Sequence, residues 1–266
     1  FRAEQDWQPG QVLQLPDLAA TLAQIAADGT GYLYGGALGE KLVSRIQSAG
    51  GAISMADLEA VSPIWEAPIS APYHNYRVNV PPPPAESFQV LLSLRILEAF
   101  NFKELDLLSA DHLDLVFRVI RIAAGVRIQN NQKGRAEIDA LLADVDELVT
   151  RAADGEPVIG PTENWASGGP FDHSALKEHT TSISVADSEG NLVCLTQSLG
   201  SPYGSGVMVP GTGVVMNNFL NWGDLDPSSP NVITAGQRLA MCMAPSITTA
   251  AGQGVLSLGT PGSYGI

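Results

Sequence analysis

Thr180-Thr181-Ser182-Ile183-Ser184-Val185-Ala186-Asp187, then Ser188-Glu189-Gly190-Asn191, then Leu192-Val193-Cys194-Leu195-Thr196-Gln197-Ser198, reads as a β-hairpin. The first arm alternates small polar side chains with apolar ones, and Asp187 and Gly190-Asn191 supply the chemistry of a turn. A loop centred on Glu189 sets Thr180 opposite Ser198, and hydroxyls paired across neighbouring strands lie within hydrogen-bond reach. A threonine at a strand start that faces a second hydroxyl suits covalent catalysis once a base is at hand. Cleavage of the bond between His179 and Thr180 would free such a base, the threonine's own α-amine. Taken locally, a Thr-Thr pair at a strand start is usually β-propensity and nothing more.

Other motifs extend the reading along the chain. The hairpin carries Thr180-Thr181-Ser182-Ile183-Ser184-Val185-Ala186-Asp187, Gly190-Asn191-Leu192-Val193 and Thr196-Gln197-Ser198 in order. Upstream stand Pro16-Asp17-Leu18, Gly50-Gly51-Ala52-Ile53-Ser54-Met55-Ala56-Asp57-Leu58 and the run Pro81-Pro82-Pro83-Pro84. Downstream follow Tyr203-Gly204-Ser205-Gly206-Val207, Gly211-Thr212-Gly213-Val214-Val215-Met216-Asn217-Asn218, and Leu258-Gly259-Thr260-Pro261-Gly262-Ser263. Together they resemble the gamma-glutamyltransferases, which are N-terminal-nucleophile hydrolases.

That resemblance implies an α+β protein with the four-layer αββα sandwich of those hydrolases. It implies a piece of a longer chain: residues 1–179 as the mostly helical end of a large subunit, residues 180–266 as the strand-rich start of a small one, together one partial domain. It also implies the chemistry. The precursor cuts itself between His179 and Thr180, Thr180 attacks an amide, and water or an amino acid removes the acyl group. Ser198 would orient Thr180, and backbone N–H groups of Gly262 and Ser263 would hold the oxyanion. The partner so implied is a small-molecule amide or peptide substrate, with no cofactor and no metal.

The substrate grip departs from the family. Where its motifs hold an asparagine, this chain has Gly200. Phe219 replaces a carboxamide or carboxylate, Trp222 an aspartate that binds the substrate amine, and Met241-Cys242 a Ser-Ser pair that binds a carboxylate. Each charged hydrogen bond lost from a site built for a zwitterion costs about 1.5–3 kcal/mol. Ser182 stands in place of the family's histidine.

Three readings follow. The first is an amidohydrolase or acylase for an acyl group less polar than γ-glutamate, with Phe219 and Trp222 either lining its pocket or merely packing. The second is a gamma-glutamyltransferase or glutathione hydrolase that binds the amino acid end through other residues, such as Asn221 or Asp224. The third is an uncut, non-catalytic relative.

Composition narrows the partners. The chain has 266 residues and a formal charge of −14, which repels nucleic acid and anionic membrane surfaces. No apolar run reaches the length of a membrane span. Two cysteines and four histidines, without ligand-type spacing, argue against a zinc site. Compartment stays open; the resemblance points to an exported or periplasmic protein.

Periodicity predicts helices over Asp17–Ala27, Gly39–Ser48, Ser54–Val61, Ala85–Phe100, Asp111–Ile128 and Arg135–Ala152. It predicts a strand region over Ala67–Val80, a loop over Asp154–Lys177, and only strand and turn after Thr180. Helices before strands, without βαβ alternation, again indicate α+β.

Overall fold

A computed structural model describes residues 8–155 and 180–262. The chain forms two compact units, one from the described residues up to Ile64 together with Tyr203–Asn217, the other from Trp65–Pro202 and Asn218 onward.

In the first unit, α1 (Pro16–Asp28) opens on a proline whose missing N–H costs the first turn nothing. It is followed by α2 (Gly31–Tyr34), α3 (Ala37–Ser48) and α4 (Met55–Glu59). The last carries a capping box in which the Ser54 hydroxyl accepts from Asp57 N–H and the Asp57 carboxylate accepts from Ser54 N–H. Leu38 and Leu42 of α3 bury against Val209, and the buried Thr21 hydroxyl donates to the Thr212 carbonyl at 2.8 Å. The Gly211-Thr212-Gly213 motif therefore serves as a docking point for α1. A Cβ on Gly213 would lie 2.6 Å from Leu18 N.

The second unit is built on a four-stranded antiparallel sheet in the order β1 (Ile69–Tyr73), β2 (Tyr76–Val80), β5 (Ser246–Ala250), β6 (Gln253–Leu258). Helices α5 (Phe88–Leu97), α6 (Ala110–Gln129), α7 (Arg135–Ala143) and α8 (Asp146–Asp154) accompany it. Ile69, Ala71, Val78 and Val80 of the sheet share one core with Leu91, Leu92 and Ile96 of α5, Val119 and Ile122 of α6, and Ile138 of α7. Burying each of the Val, Leu and Ile side chains contributes about 1.5–3 kcal/mol. A separate hairpin, β3 (Thr180–Ala186) with β4 (Leu192–Ser198), turns its even-numbered side chains toward β6. A Cβ on Gly259 would lie 2.0 Å from Ser182 Oγ, and the Cys194 thiol donates to the Leu258 carbonyl at 3.1 Å. The result is a mixed α+β protein.

Several expectations need correction. Ala67–Val80 is two strands, reversed at His74-Asn75, where His74 takes a φ of +52°. The helix expected from Ala85 begins only at Phe88. Ala85 pairs instead with Met241, and Glu86 N–H donates to Met241 O at 2.7 Å, so these backbone groups are spent outside the helix. Arg135–Ala152 is two helices. Asp144 leaves helical geometry and its carboxylate accepts from Asp146 N–H at 3.3 Å, while Val145 turns into the core. Such a short polar side chain competes with the helix for backbone donors. The chain after Thr180 also holds a 3₁₀ turn, Phe219–Trp222, and Val214–Asn218 is no strand beyond the bridge of Val215 with Met208. The expected loop over Asp154–Lys177 lies, but for its first two residues, outside the described residues. No helix among the described residues is long and apolar enough to cross a membrane.

Candidate active site

The hairpin has the register expected from a turn centred on Glu189. Thr180 faces Ser198, Ser182 faces Thr196, and Ser184 faces Cys194. These residues share one side of the two strands, so three cross-strand polar pairs form a column with Thr180 and Ser198 at its open end. The turn that sets this register is held by Asp187. Its carboxylate accepts from the N–H groups of Glu189 and Asn191, each at 2.9 Å, and from the Asn191 side chain at 2.7 Å. The Asn191 side chain first, and then the Asn191 N–H, hold the Asp187 carboxyl below the ordinary aspartate range.

The Thr180 hydroxyl donates to the carbonyl of Gly262 at 3.0 Å. Gly262 has a φ of +149°, a backbone conformation that a Cβ would make costly. The segment after β6 thus arrives at the first residue of β3 through a position that favours glycine. The Ser198 hydroxyl accepts from Gly200 N–H at 3.0 Å. Gly200 in turn has a φ of +94°, and a Cβ there would lie 2.1 Å from Asn218 Oδ1. Below this pair, the buried hydroxyls of Ser182 and Thr196 have no hydrogen-bond partner among the described residues.

Asn218 leads directly into the 3₁₀ turn that holds Phe219 and Trp222. Their rings meet edge to face, with centroids 5.5 Å apart and planes at 75°. Asn231 steadies the turn by donating from its side chain to Trp222 O at 2.7 Å. Met241 and the buried Cys242 lie instead beside the proline run, where Met241 N–H donates to Pro84 O at 3.2 Å. Next to them Glu86 and Arg127 form a buried ion pair. Each charge there offsets the desolvation of the other, and removing one alone would be strongly destabilising.

Of the residues singled out from sequence, the structure joins Thr180 to Gly262, sets Ser198 opposite Thr180, and links Ser198 through Gly200 and Asn218 to Phe219 and Trp222. His179 and Ser263 lie outside the described residues. Sequence reasoning assigned no role to Asn218, although the Asn-Asn pair was visible after an apolar run. Nor did it find Glu86 and Arg127; one ion pair between a loop and a helix leaves no periodic trace. Among the described residues no cluster of three or more His, Cys, Asp or Glu side chains could hold a metal ion.

With this geometry in hand, likeness to known proteins is informative. The family profile described as Gamma-glutamyltranspeptidase matches residues 1–266. The chain belongs to that family. It is 33% identical over 264 residues to the Acylase ACY 1 proenzyme of Pseudomonas sp. (strain SE83), covering 97% of this chain and 46% of that protein. It is also 33% identical over 274 residues to the Glutathione hydrolase proenzyme of Pseudomonas sp. (strain A14), covering 97% of this chain and 47% of the relative. The chain thus spans about half the length of the curated relatives it matches. Among solved structures, the cephalosporin acylase from Bacillus halodurans superposes with a TM-score of 0.73 at 26% identity. The match covers 93% of this chain and 44% of that one.

Proposed function

We propose that the chain carries the catalytic core of an N-terminal threonine amidohydrolase or acyltransferase, with an acyl pocket less polar than one built for γ-glutamate. The observation that carries this reading is Thr180 itself: the first residue of β3, facing Ser198, with its hydroxyl on the Gly262 carbonyl. The bond between His179 and Thr180 breaks in the precursor, leaving residues up to His179 in a large subunit and those from Thr180 in a small one. The freed α-amine takes the proton of the Thr180 hydroxyl as its oxygen attacks the amide carbon. The tetrahedral oxyanion is stabilised by backbone N–H groups of Gly262 and Ser263, and the α-amine returns the proton to the departing amine as the C–N bond breaks. Water or an amino acid then attacks the ester on Thr180 and carries the acyl group away. Ser198 orients the nucleophile throughout.

Met241 and Cys242 stand beside the proline run, so the pocket side of the proposal rests chiefly on Phe219 and Trp222. An ammonium or carboxylate entering among these side chains loses hydration without compensating bonds. The acylases among the relatives support this choice. The four-layer sandwich is part of the same reading. Helices α5–α8 form one outer layer and the two sheets the inner ones, while the outward residues Ile183, Val185, Val193 and Leu195 of the hairpin are exposed. A contiguous apolar sheet face of this kind calls for a cover, which the second helical layer would supply.

The test is a panel of acyl anilides presented to the full-length processed protein. Aliphatic and dicarboxylic acyl anilides should outperform the γ-glutamyl compound. A clear preference for γ-glutamyl anilide would return the chain to a glutathione hydrolase role, as in the Pseudomonas sp. (strain A14) relative. A protein that stays uncut on intact-mass analysis, and turns over nothing, would make it a non-catalytic relative.

A further inference from the structure

We infer that Asn218 is a positioning residue that sets the Ser198 hydroxyl against Thr180, and that it acts on both self-cleavage and turnover. The inference rests on the reading of Thr180 and Ser198 above. Four contacts support it. Asn218 Oδ1 accepts from Ser201 N–H at 2.9 Å, and Asn218 Nδ2 donates to Ser201 Oγ at 2.9 Å. Asn218 N–H donates to Leu199 O at 3.0 Å, and Gly200 N–H donates to Ser198 Oγ at 3.0 Å. One residue therefore holds the chain on both sides of Gly200, through its side chain at Ser201 and its backbone N–H at Leu199, and the middle N–H of the clamped turn holds the Ser198 hydroxyl.

The clamp also explains the glycine. An asparagine at position 200, as the family motif has, would need its Cβ where the Asn218 carboxamide oxygen now stands, 2.1 Å away. Loss of the side chain at 200 and the inward seat of Asn218 are therefore one arrangement. A carboxamide is still present at this point of the site, supplied by Asn218. It is turned to the backbone N–H and the hydroxyl of Ser201 rather than left free for a substrate. A residue without this reach at 218 would release the turn, and the Ser198 hydroxyl would lose its fixed donor.

The arrangement predicts dependence in one direction. Asn218 matters only because Ser198 does, so the two should not act independently. The experiment measures self-cleavage by intact mass, kcat and KM on the best anilide, and the unfolding midpoint, for Asn218→Ala, Ser198→Ala and the double variant in the full-length protein. Asn218→Ala is expected to slow cleavage and lower kcat about tenfold, from loss of both side-chain hydrogen bonds to Ser201 and of the turn's order, with KM within about twofold. In the Ser198→Ala background the same change should cost nothing further. Losses that add in the double variant, or wild-type rates for folded Asn218→Ala, overturn the inference. If Asn218→Ala does not fold, Asn218→Ser carries the same cycle, since its hydroxyl is too short to span to Ser201. Thr180→Ala separates this from the underlying reading. If that variant still cuts and turns over, the nucleophile is misassigned; if it is inert while the other losses add, only the role of Asn218 fails.

Discussion

The hairpin β3–β4 and the segment from Leu199 to Cys242 are neighbours in the chain and opposites in construction. The hairpin is regular: seven consecutive cross-strand pairs, one turn, and side chains alternating between two faces. The segment after it is held by isolated contacts, such as the bridge of Asp224 with Val232, the Asn218 clamp and the Trp222 carbonyl on Asn231. Under the proposed function the reacting atoms sit on the regular part and the acyl pocket on the irregular part. Strands fix a nucleophile's direction to within the tolerance that bond formation requires, whereas loops can change their side chains without disturbing it. Under the same proposal, this division accounts for a chain that keeps the hydroxyls of Thr180 and Ser198 while Gly200, Phe219, Trp222, Met241 and Cys242 stand where the family's motifs are polar.

The division can be broken by experiment. Thr180→Ala should give the largest effect, a single uncut chain with amidase activity reduced by about four orders of magnitude or more, as for removal of a nucleophile elsewhere. Intact mass and a substrate assay read this directly, and normal cutting would remove the chemistry from the hairpin altogether. Gly200→Ala comes next. A side chain at a φ of +94°, placed 2.1 Å from Asn218 Oδ1, must displace the clamp. It should lower stability by about 1–3 kcal/mol and slow self-cleavage, measured by denaturant unfolding and time-resolved mass analysis. A silent Gly200→Ala would show the two regions to be independent.

Trp222→Ala sharpens the contrast from the other side. It should leave self-cleavage at its normal rate while raising KM for an apolar acyl anilide about tenfold, within the range expected for truncating a large pocket side chain. A slowed self-cleavage with unchanged KM would put Trp222 in the support of the hairpin and not in the pocket. The smallest effect is expected from Asp187→Ala in the turn. The carboxyl of Asp187 is held below its ordinary range by Asn191, so its contribution is present above the unfolded value and lost as pH falls through the folded one. The variant's lower unfolding midpoint at neutral pH should therefore merge with that of the wild type in acid. A difference that persisted there would mean that the carboxylate is not what holds the turn.

Much of this was legible before any coordinates. The period-two pattern from Thr180 to Ser198, with turn residues between, was enough for the hairpin and its register, because a one-residue slip would move every hydroxyl to the opposite face. The short helix α4 after Ser54 was equally plain, and the structure shows Ser54 capping it. Local chemistry acts over a few residues, and a sequence displays it directly.

What only the tertiary structure decided lies at longer range. The false start of α5 at Ala85 arises because Met241, far along the chain, takes up the Pro84 carbonyl and the Glu86 N–H on either side of Ala85. The split between α7 and α8 depends on Val145 turning into a core shared with four helices and two strands. The Thr180 hydroxyl meets Gly262, and the carboxamide of Asn218 takes the space beside Gly200, through contacts that leave no period in the sequence. Propensity and patterning report what each segment can do alone. Competition among segments for the same donors, acceptors and volume is settled only when they are brought together in space, and it is that competition which forms the site.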